Sequence, residues 1–255
     1  MADPISARLN DGTLIRRSWT GTDAQGRATA CLLAALAPEC GAAESAAACP
    51  AEAMPAWLAH LTPWIDDSGS LTSWPGHVRR YAAIAPRFGE LIGDLDRRAL
   101  IGCLRVIVAE APSHVDPSGA VSAVLALLDR ELAGDCPTAA EYDSSAVAAY
   151  AAAAVEYDSA ASSAASAAAY ASSSAAEYDS AAYAASAANA AFAANAACYA
   201  AAAAEYAASA ANAAFAAASA DRIIDGILSH LESLFSGALP AAASVSCDAV
   251  GGGAS

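Results

Sequence analysis

Thr138-Ala-Ala-Glu-Tyr-Asp-Ser-Ser-Ala-Val-Ala-Ala-Tyr150 opens the segment on which the fold turns. Its first four residues form a capping box, with Thr138 at the N-cap and Glu141 three positions on. From Thr138 to Asp225 the chain has neither Gly nor Pro, and Ala fills 46 of the positions 138–220. Alanine has the highest intrinsic helix propensity, so the segment reads as helix. One unbroken helix of this length would extend about 125 Å at 1.5 Å per residue. It therefore either projects as a rod or folds back as a helical hairpin.

The segment is repetitive. Glu-Tyr-Asp-Ser occurs at 141–144, 156–159 and 177–180, and Glu-Tyr recurs at 205–206. Ala-Ala-Ser-Ala-Ala-Asn-Ala-Ala-Phe-Ala-Ala stands at 184–194 and again at 207–217. The unit is Ala-Ala-X, a register that nine-base repeat expansion in DNA also produces. On an α-helix a step of three residues spirals around the axis, so no coiled-coil seam is sustained. Asp and Ser favour caps, so the Glu-Tyr-Asp-Ser blocks are expected breaks and Ser172-Ser173-Ser174 a further hinge. Alanine buries little area, which leaves most of the packing to the aromatics from Tyr142 to Phe215.

Residues 1–137 read as a small, mainly helical domain. They hold all four Trp, both Met and every Pro except Pro240. Asp11-Gly12 resembles a hairpin turn, with a possible strand over Thr13 to Thr20. Ala28 to Ala37 is an apolar run stopped by Pro38. Met54, Trp57, Leu58 and Leu61 share one helix face. Trp74 to Ala85 reads as a helix with Ser73 as N-cap, Pro75 in the first turn and Pro86 as the stop. Asp94 to Ala111 and the stripe Val121, Val124, Leu125, Leu128 and Leu132 supply two more helices. Asp116-Pro117 would cap the second, and Gly134 would end it. Beyond the Ala-rich segment, Ile224, Ile227, Leu228, Leu231, Leu234 and Phe235 form the stripe of an amphipathic element ended by Gly237. Ala238 onward, with Gly251-Gly252-Gly253, reads as a disordered tail.

The charge is distributed unevenly. All twelve cations are Arg, against 27 acids, for a net charge of −15. No Arg lies between Arg130 and Arg222. Phosphate neutralisation needs basic surface, so no nucleic-acid partner is expected. Six arginines from Arg79 to Arg105 make a basic patch that suits salt bridges within the chain, with phosphate as an alternative contact. There is no P-loop or dinucleotide fingerprint, and no cofactor or small-molecule ligand is expected. Residues 180–204 are uncharged and long enough to span a bilayer. They lack Leu, Ile and Val and have no flanking Arg, so membrane association is kept only as an alternative.

Seven cysteines without close pairs do not form a disulfide framework. The start of the chain lacks a signal-peptide pattern, and free thiols point to a cytoplasmic location. Cys31, Cys40, Cys49 and His60 have zinc-binding atoms, but their spacings match no compact knuckle, so no metal is expected. Cys31 near a helix start, with His60 and Asp66 or Asp67 downstream, supplies the groups of a cysteine-dependent hydrolase. No local nucleophile turn accompanies them. The bland readings are a buried apolar thiol and a histidine on a polar helix flank.

Asp11-Gly-Thr-Leu-Ile-Arg-Arg-Ser-Trp-Thr-Gly-Thr-Asp23, Thr29-Ala-Cys-Leu-Leu-Ala-Ala-Leu36 and Trp57-Leu-Ala-His-Leu-Thr-Pro-Trp-Ile-Asp-Asp67 resemble a family of uncharacterised proteins carried by prophages and phages of GC-rich bacteria. The resemblance implies an N-terminal domain, Ala-rich triplet repeats and a short amphipathic helix near the C-terminus. It implies no activity and assigns no residue a role.

The expected fold is mostly all-α, with a possible short β-hairpin. The expected divisions are a helical domain over 1–137, an Ala-rich repeat helix over 138–220, an amphipathic helix over 221–237 and a tail over 238–255. The leading functional expectation is a non-enzymatic structural or interaction protein that self-associates, binds a protein partner or acts as a spacer.

Overall fold

The computed structural model describes residues 3–110, 118–155, 159–176 and 209–237, with isolated positions at 116, 189, 190 and 193. The repeats over 177–188 and 194–208, most of the uncharged stretch 180–204 and the tail 238–255 lie outside the described residues. The fold is mostly all-α, with one two-stranded antiparallel sheet.

Helix α1 (Pro4–Asp11) is started by Asp3, whose carboxylate accepts from Ile5 N and Ser6 N, with Pro4 in the first turn. Gly12 ends it in the left-handed region at φ 73°. Asp11-Gly12 is thus a helix stop, which corrects the hairpin turn expected there. A Gly in this conformation serves both purposes, and the dipeptide alone does not distinguish them. The hairpin lies further on, where β1 (Thr20–Thr22) pairs with β2 (Ala28–Ala30). Of the expected strand over 13–20, Thr20 alone falls in a strand, and Leu14 makes an isolated bridge to Ala30.

Two short helices follow, α2 (Leu32–Leu36) and α3 (Pro38–Ala43), then a 3-10 turn over Ala46–Ala48. Helix α4 (Ala56–Ser68) extends past Leu61 and through Pro63. The missing Pro63 N–H is tolerated where Thr62, Trp64 and Ile65 are all buried, so packing outweighs the lost backbone bond. Helix α5 (Trp74–Ile84) leads into a second 3-10 turn (Ala85–Glu90), and α6 (Gly93–Ala109) and α7 (Ala120–Leu132) follow. Asp116 caps α7 from outside, accepting from Val121 N and Ser122 N. Gly134 closes α7 at φ 89°, with Asp135 N bonded to Arg130 O.

The capping box at 138–141 is present with both bonds. Glu141 N donates to Thr138 Oγ1 at 3.2 Å, and Thr138 N donates to Glu141 Oε2 at 2.8 Å. Helix α8 spans Ala139–Val155 and α9 spans Ser159–Ala176, and residues 156–158 of the second Glu-Tyr-Asp-Ser block, where a break is expected, lie outside the described residues. The two pack against each other as a helical hairpin, so this part of the Ala-rich segment folds back. The first block lies inside α8 and does not break it. Ser172-Ser173-Ser174 is continuous helix, which corrects the hinge expected there. Ser172 Oγ donates to Tyr142 O at 2.6 Å across the hairpin, and Ser174 Oγ returns to Tyr170 O.

Alanine forms most of the α9 interior. Ala164, Ala165, Ala167, Ala168, Ala169 and Ala171 are buried where α9 meets α6, α7 and α8. A helix buried around its circumference suits side chains small enough for close helix approach. Tyr142 is fully buried and gives its hydroxyl proton to Glu131 in a hydrogen bond. Tyr150 and Tyr170 meet edge-to-face at 5.8 Å, with Tyr150 partly in solvent.

The amphipathic stripe is the second half of one long helix, α10 (Ser209–Ser236), which crosses the expected boundary at 220/221 without interruption. Ile223, Ile224, Ile227, Leu228 and Leu231 are fully buried against α4, α5 and α6. Polar contacts fix the same face. Asp221 accepts from Ser70 N and Ser73 Oγ at 2.9 Å each, so the Ser73 hydroxyl bonds α10 and does not cap its own helix. Arg80 binds Glu232, Asp225 and Ser229 at 2.7–2.8 Å. Gly102 permits the closest approach, since a Cβ there would collide with the His230 ring.

Four of the six arginines of the basic patch are engaged within the chain. Arg80 and Arg87 bind α10, Arg87 stacking over Phe235 at 4.7 Å. Arg97 pairs with Glu131 at 2.6 Å and Arg105 with Asp129 at 2.5 Å. Arg130 holds Asp135 and Glu141, and pulls the Glu141 carboxyl down to about 2.

Candidate functional site

The described cavity with the most chemistry lies where the hairpin meets α2 and α4. It measures about 160 Å³ and is lined by Arg17, Ser18, Trp19, Cys31, Pro63, Asp66 and Asp67. Trp19 O accepts from Cys31 N, which brings the end of β2 over the cavity. Cys31 is the N-cap of α2, its sulfur accepting from Ala34 N at 3.4 Å.

Asp66 is its buried centre, at 2% exposure. Oδ2 accepts from Leu32 N at 3.0 Å and Oδ1 from Trp74 Nε1 at 2.8 Å. One carboxylate therefore ties α4 both to the first turn of α2 and to α5. Burial nevertheless dominates and pushes the Asp66 carboxyl up to about 6, against those two hydrogen bonds. Asp67 accepts from Arg17 N at 2.7 Å. Arg17 has φ 62°, a conformation a non-glycine residue holds only when its surroundings enforce it. Arg16 lies over Trp74 at 5.8 Å and donates to Gly69 O.

The structure brings Cys31 and Asp66 together, as hydrolase chemistry would require, and places His60 elsewhere. His60 does not line the cavity, and burial alone lowers its pKa. Burial pushes the Cys31 thiol up, and the charges of Asp66 and Asp67 add to this. A nucleophilic thiol needs the opposite environment. Among the zinc candidates, the Cys49 thiol donates to Pro50 O at 3.8 Å. No group of three or more His, Cys, Asp or Glu poised for a metal occurs among the described residues. Cys136 is disulfide-bonded, which corrects the expectation that all the thiols are free; Cys31, Cys40, Cys49 and Cys103 are free.

Sequence reasoning missed Arg17 and Trp74. A left-handed arginine leaves no mark in the sequence, and the Trp74–Asp66 bond depends on how α5 returns over α4.

The raised Asp66 pKa has a definite sign. The folded state binds this proton more tightly than the unfolded chain does. Its contribution to stability is thus full below about pH 4 and is lost as pH rises through about 6, by at most about 3 kcal/mol. Carboxyls held low, such as Glu232 beside Arg80, act in the opposite direction. The expected result is that the stability of Asp66→Asn minus that of the parent rises between pH 4 and 7. Urea titrations at a series of pH values measure it, and a flat difference would remove Asp66 from this role.

No described helix is long and apolar enough to cross a membrane. Comparison with known proteins finds no matching family model, curated protein or solved structure.

Proposed function

We propose that the protein is a non-enzymatic structural protein that self-associates through its Ala-rich helices. One observation carries this reading: the outer face of α8 leaves Val147 68% and Tyr150 43% exposed on a helix otherwise rich in alanine. Small side chains let a second helix approach closely, and the two larger ones supply apolar area to bury. The hairpin of α8 and α9 makes a spacer role less suited to residues 139–176. The resemblance to prophage-carried proteins belongs to the same proposal. So does a cytoplasmic location, which four free thiols favour and the Cys136 disulfide weighs against.

The partner in this reading is a second copy of the chain. Two chains of net charge −15 repel, so association strengthens as salt screens them. Light scattering of the full chain across a salt series tests it. A rise from monomer to dimer that Val147→Asp abolishes is the expected result. A monomer at every salt and protein concentration sinks the proposal.

The hydrolase reading retains one favourable observation, the shared cavity of Cys31 and Asp66. The raised thiol and the position of His60 place it second.

A further inference from the structure

Helices α6 and α10 run antiparallel and meet at steps of four residues. Arg222 pairs with Glu110 at 2.9 Å, Gly226 receives the Val106 side chain, and Gly102 receives the His230 ring. The last two contacts are reciprocal, since each helix inserts one side chain where the other has no Cβ. A Cβ at either glycine would collide with the inserted group. Gly102 also uncovers a carbonyl. Arg98 O is the i−4 acceptor of Gly102 within α6, and the same oxygen lies 3.3 Å from His230 Nε2. A carbonyl only accepts, so Nε2 donates and the neutral ring has no proton on Nδ1.

The surroundings suit a neutral ring. Ile227 and Leu231, beside it on α10, are fully buried. Arg98 sets its positive charge against the imidazole. Helix α9, which packs on α6, carries no charged residue over 159–176. The acids of α10 are turned to α5, where Asp221 and Asp225 face His77, and Asp225 and Glu232 face Arg80. On α4, Asp66 is bonded to Leu32 and Trp74 and Asp67 to Arg17. Among the described residues no carboxylate pairs with His230.

We propose that His230 and the Gly102 notch form an acid-sensitive latch: the neutral imidazole holds the second half of α10 on α6, and protonation of the ring loosens that half of the helix from the core. Burial and the Arg98 charge lower the His230 pKa from its ordinary 6.5, against the Arg98 carbonyl, which favours the proton. The unfolded chain therefore takes up this proton first as pH falls. The contribution of the ring to docking is full above the unfolded value and is lost as pH falls from there through the lowered folded value. Asp66 acts in the opposite direction over the same range, so the latch is read as a difference between two chains that both contain Asp66.

The test follows amide hydrogen exchange of residues 223–235 in the full chain at pH 5 and pH 7.5, corrected for intrinsic rates, in the parent and in His230→Gln. Glutamine keeps an N–H donor for Arg98 O and does not titrate. The expected result is that the parent loses protection in this segment on acidification and the variant loses distinctly less. Equal losses in the two chains would overturn the proposal. Proton NMR of the isotope-labelled parent, with its four imidazoles assigned through the backbone, gives a second reading that needs no variant. His230 is expected to titrate below 6.5, and a midpoint at or above 6.5 would equally remove the latch.

Discussion

A chain ended at Ala220 loses cooperative unfolding of residues 3–132, although every residue of the N-terminal helices is still present. Ile223, Ile224, Ile227, Leu228 and Leu231 are fully buried against those helices. Each is worth roughly 1.5–3 kcal/mol on burial, so their loss removes about 8–15 kcal/mol. A domain of this size has about 5–15 kcal/mol in total. The truncation also deprives Arg80, His77 and Ser73 of the acids that face them. Near-ultraviolet circular dichroism during a thermal scan checks the outcome. A truncated chain that melts cooperatively within a few degrees of the parent would show that α10 is an accessory and not part of the core.

Replacing Trp57 by Ala costs about 3–5 kcal/mol, a large share of the stability of a domain this size. Trp57 is fully buried, and its indole N–H donates to Asp96 Oδ1 at 2.7 Å. Asp96 is itself 8% exposed, so the variant combines a cavity with a buried carboxylate that has lost a donor. Trp57→Phe separates the two effects, since it keeps most of the volume and removes only the donor. Its expected cost is about 1–3 kcal/mol. Urea denaturation of both variants gives the comparison. Equal losses would mean that the hydrogen bond, and not the packing, holds α4 to α6.

The parts of this fold that are legible in the sequence are those decided locally. Thr138 and Glu141 lie three residues apart and find each other within one helical turn. Gly134 ends α7 for a conformational reason that needs no partner. The fold-back of α8 and α9 is one of two outcomes the sequence allows, because alanine favours helix equally in a rod and in a hairpin. Helix α1 carries an Asp3-Pro4 start signal, but it is short, and Asp11-Gly12 suits a turn as well as a helix stop. The apolar stripe from Ile224 to Phe235 is visible, yet nothing in it names α5 and α6 as the surface it covers. The candidate site divides in the same way. Cys31 near a helix start is a local fact, whereas its approach to Asp66, and the separation of His60 from both, depend on how three helices cross.

The docking of α10 also bears on when the molecule can fold. Ser70 meets Asp221 across 151 residues and Arg80 meets Glu232 across 152. During synthesis the first half of the core must wait, with its apolar surface uncovered, until nearly the whole chain has left the ribosome. Contacts so distant along the chain slow folding. The waiting period is set by the Ala-rich segment that separates the two halves of this contact along the chain. Each copy added to that segment lengthens the interval in which the nascent chain is exposed to aggregation and proteolysis.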